Sequence, residues 1–278
     1  MANDKTIVYA KTLTDVFYYL KTIQNLKIFG SGTLEQHLHK NENLPLEQSA
    51  LFLRNVEELT VIDKKERYID FGSASTLAKM LEVGRKKLPS VLYESLLETA
   101  NPLVRNIATI GGNISCSERK MTLFAPLLAL DAKIECKSSI QDSVFIPFSK
   151  YTSIDSESII TKIRVPIEDW DVAVFKKLGP MGGINDLSAS YTFLAQSEKG
   201  ILTDVRIAFC GLISLRSDEL ENRLIGTRLP LSLKLKNEVL EAAAIDFFNQ
   251  SGNAIPPLHP ILHSQYVELL EYSLDMLS

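Results

Sequence analysis

The residues with the most to say about chemistry are small ones. Asn106 to Ser115 reads NIATIGGNIS, with two adjacent glycines inside a mostly apolar stretch. A chain places Gly-Gly there either to turn very tightly or to let something come close to its backbone. Phe29 to Thr33 reads FGSGT, small residues that follow an apolar run. Consecutive backbone N–H groups in such a loop can form a concave nest for an anion such as a pyrophosphate. Each stretch also has a plainer reading. FGSGT can be a simple tight turn, and Gly111-Gly112-Asn113 a buried turn with an asparagine cap. Two such loops, each ending an apolar stretch, point together to one shared ligand, long, anionic in the middle and apolar and flat at its ends. The first loop is not the dinucleotide fingerprint, because Gly30-x-Gly32 is followed by Thr33, Leu34 and then Glu35 where the third glycine belongs. It is not a P-loop either, since no Lys-Ser/Thr follows.

Other chemistries find less support. Cys116, Cys136 and Cys210 are scattered with no C-x-x-C; three cysteines cannot supply the four thiolates of a usual iron–sulfur cluster, and they do not look like a disulfide framework. Of the histidines, His37, His39, His259 and His263, the last two are four apart, but proline surrounds the first. They read as surface loop residues rather than a metal site. No proton-transfer dyad or nucleophile triad stands out. Apolar residues make up 45% and charged residues 23%, with a net charge of -4. This is the balance of a globular protein with no basic patch for nucleic acid. No apolar run approaches the roughly 20 residues of a membrane span, and MANDKTIVYAKTL has no apolar h-region. The expectation is a soluble, cytoplasmic chain.

The elements that must position the two loops can be read from periodicity. Thr14 to Ile23 is predicted as a helix capped by Thr14, with Val16, Phe17, Leu20 and Ile23 on one face. LKIF is predicted as a short strand running into FGSGT. Strand-like pieces alternate with turns from Asn55 to Phe71, and Thr76 opens a short helix. LFAPLLALDAKIECKSS reads as a helical turn leading into a strand, and SVFIPF and SIITKIRVP as further strands. The pattern resets near residue 168. DVAVFKKL, DLSASYTFLA and DVRIAFCGL then read as strands, with Val205, Ile207 and Phe209 alternating. Two helical patterns close the chain, the second with Val267, Leu270, Leu274 and Leu277 on one face. Strands followed by helices predict an α+β fold.

Taken together, NPLVRNIATIGGNIS...APLLALDAKIE resembles the FAD-binding subunit or domain of the molybdenum hydroxylases. The xanthine dehydrogenases and aerobic carbon monoxide dehydrogenases belong to that family. Its pattern is matched by Arg105-Asn106, Thr109 to Asn113, and Leu128 to Ala132. FGSGT falls where the family has its pyrophosphate loop. IDFGSASTLAKML resembles a glycine-alanine-x-x-threonine segment before a helix. VFKKLG, GILTDVRIAFCGL and ENRLIGTRL resemble the C-terminal domain. The likeness runs in order along nearly the whole chain. It implies an FAD-binding domain over 1–168, with subdomains of about 1–55 (a small α/β unit) and 56–168 (mainly antiparallel sheet). A carbon monoxide dehydrogenase flavoprotein-like domain of short antiparallel sheet and helices follows over 169–278.

The resemblance also implies a cofactor, FAD, and positions that meet it. These are Phe29, Gly30, Ser31, Gly32, Thr33 and Leu34 in the first loop, and Ala100, Thr109, Gly111, Gly112 and Asn113 in the second. Ile160 would pack near the flavin, or belong simply to the core. Lys176 aligns with a lysine near the isoalloxazine, where a cation favours reduced flavin; a solvated strand residue is the alternative. The implied role is electron transfer from iron–sulfur clusters through FAD to NAD or another acceptor. The implied partners are a 2Fe-2S subunit and a large molybdopterin subunit, without nucleic acid or membrane. Several positions depart from the pattern. Ser31 replaces a glycine, Leu34 an acidic residue, and Thr122 or Leu123 stands where an aspartate contacts the cofactor, with Glu118 near but out of place. LGPMGGIND replaces an arginine-containing stretch. A lost aspartate removes a contact worth on the order of 0.5–3 kcal/mol. A scaffold subunit of the same complex that no longer binds FAD is the alternative, and a sugar- or alcohol-oxidising flavoprotein of the wider fold is a third.

Overall fold

Three short strands, β1 (Ile7–Tyr9), β2 (Leu26–Phe29) and β3 (Ser49–Phe52), pair in parallel in the order β1-β3-β2. The computed structural model describes residues 6–34, 49–116, 119–153, 155–180, 183–252 and 257–278. Glu35, His37, His39, Glu118, Met181 and Gly182 lie outside the described residues. A helix, Leu13–Thr22, packs Val16 and Phe17 into a cluster with Leu51 and Leu53 of the sheet side. It is capped by Thr12 rather than the expected Thr14. Thr12 is three residues before Asp15, and the two close a capping box: the Thr12 hydroxyl accepts from the Asp15 N–H and the Asp15 carboxylate accepts from the Thr12 N–H.

The second sheet runs β4-β5-β8-β6-β7 and is antiparallel, with β4 (Ile62–Lys64), β5 (Tyr68–Gly72), β6 (Lys133–Lys137), β7 (Val144–Pro147) and β8 (Ile159–Pro166). Across β5 and β8, Arg164 donates two hydrogen bonds of 2.8 Å to the Asp70 carboxylate. Its guanidinium lies 3.9 Å from the Tyr68 ring centre and 4.5 Å from that of Phe145. The two sheets belong to one compact unit made of residues 1–84, 100–115 and 131–167.

The other unit gathers residues 85–99, 116–130 and 168–278. Its sheet runs β12-β11-β10-β9, with β9 (Val172–Leu178), β10 (Ala189–Glu198), β11 (Ile201–Cys210) and β12 (Ser214–Leu215). Helices Asp218–Leu224, Leu233–Ser251 and Pro260–Asp275 follow. Val205, Ile207 and Phe209 of β11 meet Val239, Ala243 and Phe247 of one helix and Tyr266, Leu270 and Leu274 of the next in one core. Inside that core the buried Tyr191 hydroxyl finds Ser273 at 3.0 Å, which satisfies a polar group that burial would otherwise penalise. The fold is α+β, as the order of strands and helices predicts.

Candidate functional site

Thr109 is the centre of the first unit's small-residue loops. Its hydroxyl accepts from the Gly112 N–H at 3.2 Å and caps a short helix, Ile110–Ile114. Gly111-Gly112-Asn113 is therefore neither a tight turn nor an asparagine cap but a helical turn. Two glycines disfavour that conformation by propensity, and external bonds hold it. The Ile110 N–H donates to the Ser75 carbonyl at 3.1 Å and the Gly111 N–H to the Ser73 carbonyl at 2.8 Å. The Asn113 N–H donates to the Thr109 carbonyl at 3.0 Å. All four N–H groups from Ile110 to Asn113 are thus committed inside the protein.

The two glycines have different reasons. A Cβ at Gly111 would lie 2.7 Å from the Ser73 carbonyl oxygen, a clash with backbone. A Cβ at Gly112, which is exposed, would meet only the Thr109 hydroxyl, at 3.1 Å. The protein demands glycine at the first position, whereas alanine at the second requires only that the Thr109 hydroxyl yield by a few tenths of an ångström.

The first loop reaches the same threonine. A Cβ at Gly30 would overlap the Thr109 hydroxyl. Phe29 is buried and stacks on Phe52, ring centres 5.2 Å apart, while its carbonyl accepts from the Leu53 N–H. Gly32 has φ of +72°, the left-handed region that glycine enters without strain. Thr33 and Leu34 are helical and half-buried. Among the described residues, the N–H groups of Gly30, Ser31 and Gly32 have no acceptor. This loop, unlike the second, keeps donors for an anion.

Buried polar atoms without partners lie on the same segments. In the first unit, among the described residues, these are the Ser31 Oγ, the Ser73 Oγ and the Asn113 Oδ1. Sequence reasoning missed Ser73, although Gly72-Ser73-Ala74-Ser75 after β5 is a third run of small residues after a strand. The unassigned donors and acceptors suit a ligand with phosphate oxygens and hydroxyl groups.

The other expected positions are less central. Ala100 is exposed, with φ of +51°, and its carbonyl accepts from Arg105 at 2.7 Å. Ile160 is buried on β8, one residue before Thr161, whose carbonyl accepts from the Ser73 N–H. Lys176 lies in the other unit, exposed on β9 and in register with Tyr191. Leu123, at the position of the expected aspartate, is fully buried. Of the two histidines expected in surface loops, His259 is exposed and just outside a helix, whereas His263 is helical and half-buried. His259 caps helix Pro260–Asp275, accepting from the Ile261 N–H at 3.2 Å, and His263 packs between the rings of Phe247 and Phe248.

Fold and site together define an α+β protein whose first unit joins a parallel three-stranded sheet to a glycine-serine cradle for an anionic ligand. Residues 3–168 match the family described as the FAD binding domain in molybdopterin dehydrogenase, and the chain belongs to that family. Its cofactor is FAD. Indole-3-acetaldehyde oxidase of Arabidopsis thaliana is 30% identical over 146 residues, which is 49% of this chain and 11% of that protein. The putative xanthine dehydrogenase FAD-binding subunit of Escherichia coli K12 is 28% identical over 168 residues, 56% of each chain. The chain thus spans a small part of the plant oxidase and about half of the bacterial subunit. Among solved structures, a carbon monoxide dehydrogenase chain from Hydrogenophaga pseudoflava superposes with a TM-score of 0.80 at 16% identity, covering 98% of this chain and 96% of that one. Quinoline 2-oxidoreductase from Pseudomonas putida 86 gives 0.73 at 15% identity. These two likenesses concern the fold. No described helix is long and apolar enough to cross a membrane.

Proposed function

We propose that this chain is the FAD-binding electron-transfer subunit of a multi-subunit molybdenum hydroxylase of the xanthine dehydrogenase type. The observation that carries the reading is the convergence of three segments on Thr109 and Gly111. There the free N–H groups of Gly30, Ser31 and Gly32 and the unpartnered atoms of Ser31, Ser73 and Asn113 all occur. The first loop, Phe29 to Leu34, holds the pyrophosphate through its backbone. Thr109 fixes the second loop, where exposed Gly112 lets the cofactor lie close and Asn113 offers a hydrogen-bonding side chain. Ile160 supports this region from the core. Ala100 and Lys176 enter the reading through the resemblance, and the test for Lys176 is the flavin potential of Lys176→Met.

Bound FAD supplies the exchange between single-electron and hydride chemistry. The protein's share is to bind and orient it. In this reading the chain sits in the cytoplasm between a 2Fe-2S subunit and a large molybdopterin subunit, and passes electrons to NAD or another acceptor. Substrate oxidation takes place on the large partner. Two relatives support that arrangement by name, an FAD-binding subunit in Escherichia coli and the glyceraldehyde dehydrogenase medium chain of Sulfolobus acidocaldarius. The test is the absorbance spectrum of the purified chain after mixing with FAD and gel filtration. Flavin bands that travel with the protein support the reading. Their absence overturns it and leaves the fold as a docking scaffold.

A further inference from the structure

We propose that the Ser73 hydroxyl is a cofactor-binding group, donating a hydrogen bond to an oxygen of FAD. This rests on the flavin reading above and adds a residue to it. Ser73 is 5% exposed, and both its backbone groups are engaged: its N–H donates to Thr161 at 2.9 Å and its carbonyl accepts from Gly111 at 2.8 Å. Only the side chain is unassigned. Its Oγ is buried without a partner. Its Cβ lies 2.9 Å from where a Gly111 side chain would begin, so the hydroxymethyl group faces the glycine pair.

Ser75, two residues on, is the internal comparison. It is also buried, but its hydroxyl donates to the Thr60 carbonyl at 3.1 Å. That serine completes the fold, whereas Ser73 does not. A buried hydroxyl without a partner costs about 1–3 kcal/mol, and alanine would fill nearly the same volume without that cost. The first unit holds two further orphans among the described residues, Ser31 and Asn113, on the other two segments of the same junction. A hydroxyl reorients about one bond. An oxygen arriving over Gly111 and Gly112 is therefore met while the backbone stays pinned.

The experiment is a titration of the 278-residue chain with FAD, read by flavin fluorescence, beside thermal melting without FAD. The wild-type chain is measured first; failure to bind FAD overturns the flavin reading and this inference with it. Ser73→Ala is expected to bind FAD roughly tenfold more weakly, with an unbound melting temperature equal to or above that of wild type. Ser75→Ala is expected to melt lower. If wild type binds FAD and Ser73→Ala binds within about twofold of it, the inference fails and the flavin reading stands. A Ser73→Ala chain that loses affinity together with unbound stability shows a structural serine, and also overturns it.

Discussion

Gly30 lies so close beneath the Thr109 side chain that a Cβ on the glycine would occupy the space of the threonine hydroxyl. That oxygen also caps the helix carrying the glycine pair. The two loops therefore share one atom. Thr109→Ala is expected to cost about 1 kcal/mol through the lost cap. Gly30→Ala is expected to cost more, because the overlap must be relieved by moving a loop. The double variant should be less destabilised than the sum, since removing the hydroxyl opens room for the new methyl group. Urea unfolding of the four proteins measures the coupling, and strict additivity would show that the loops are independent.

The adjacent glycines should respond differently to alanine. Gly111→Ala meets a backbone carbonyl and is expected to lower the melting temperature and flavin content together. Gly112→Ala meets one hydroxyl that can shift slightly, and helix propensity favours alanine over glycine by about 0.8–1.0 kcal/mol. The unbound chain should therefore keep its stability while losing FAD. Circular dichroism melting and flavin absorbance on the same samples check both. Normal flavin content in Gly112→Ala would remove the close approach from the account of binding.

The Asp70–Arg164 pair should matter for stability and not for cofactor chemistry. Both hydrogen bonds are charge-assisted, and the guanidinium is held between Tyr68 and Phe145. Asp70→Asn keeps one acceptor and loses the charge. It is expected to cost about 2 kcal/mol, read as a lower urea midpoint with an unchanged m-value.

Two glutamates should impose opposite pH dependences. Burial pushes the Glu135 carboxyl up, but hydrogen bonds from Thr161 at 2.6 Å and Ser143 at 2.9 Å, with Lys162 nearby, outweigh it and hold its pKa below 4.5. A depressed carboxylate stabilises above its unfolded value and loses that contribution as pH falls below 4.5. For Glu221 burial wins over its bonds to Arg216 and the Ile207 N–H, and its pKa rises above 4.5. Its contribution is complete below 4.5 and fades as pH rises through the raised value. Glu135→Gln should flatten the acid side of the stability curve, and Glu221→Gln should flatten the decline just above it. Unfolding midpoints across that range decide; parallel curves would contradict the assignment.

How much could be read from residues alone depends on the physics of each element. β8 to β11 are long and rich in β-branched and aromatic residues, and Thr76 announces its helix with a side-chain cap. β1 and β3 cannot be read from the sequence, because IVY and SALF are too short to show a period. The missing strands concealed the parallel sheet that leads into the first loop. Helix Ser90–Glu98 begins after Pro89 with no capping side chain, so no start signal marks it. The glycine pair was conspicuous, but its helical form depends on acceptors in Ser73 and Ser75, which only the tertiary structure brings near. Ser73 stayed hidden for the same reason: nothing in its local sequence separates it from Ser75.

Helix Phe124–Ala129 has all six residues buried, and its main neighbours are β10 and β11, with helix Ser90–Glu98 beside them. Those strands lie beyond residue 168, where the family match ends. During synthesis this apolar hexapeptide leaves the ribosome before the sheet that will cover it exists. The nascent chain must carry a sticky segment until β11 is complete, an interval in which a chaperone can bind. A fragment cut at residue 168 would lack β10 and β11 and leave the segment covered only in part, by helix Ser90–Glu98. The packing of this helix thus ties residues inside the matched stretch to strands that lie outside it.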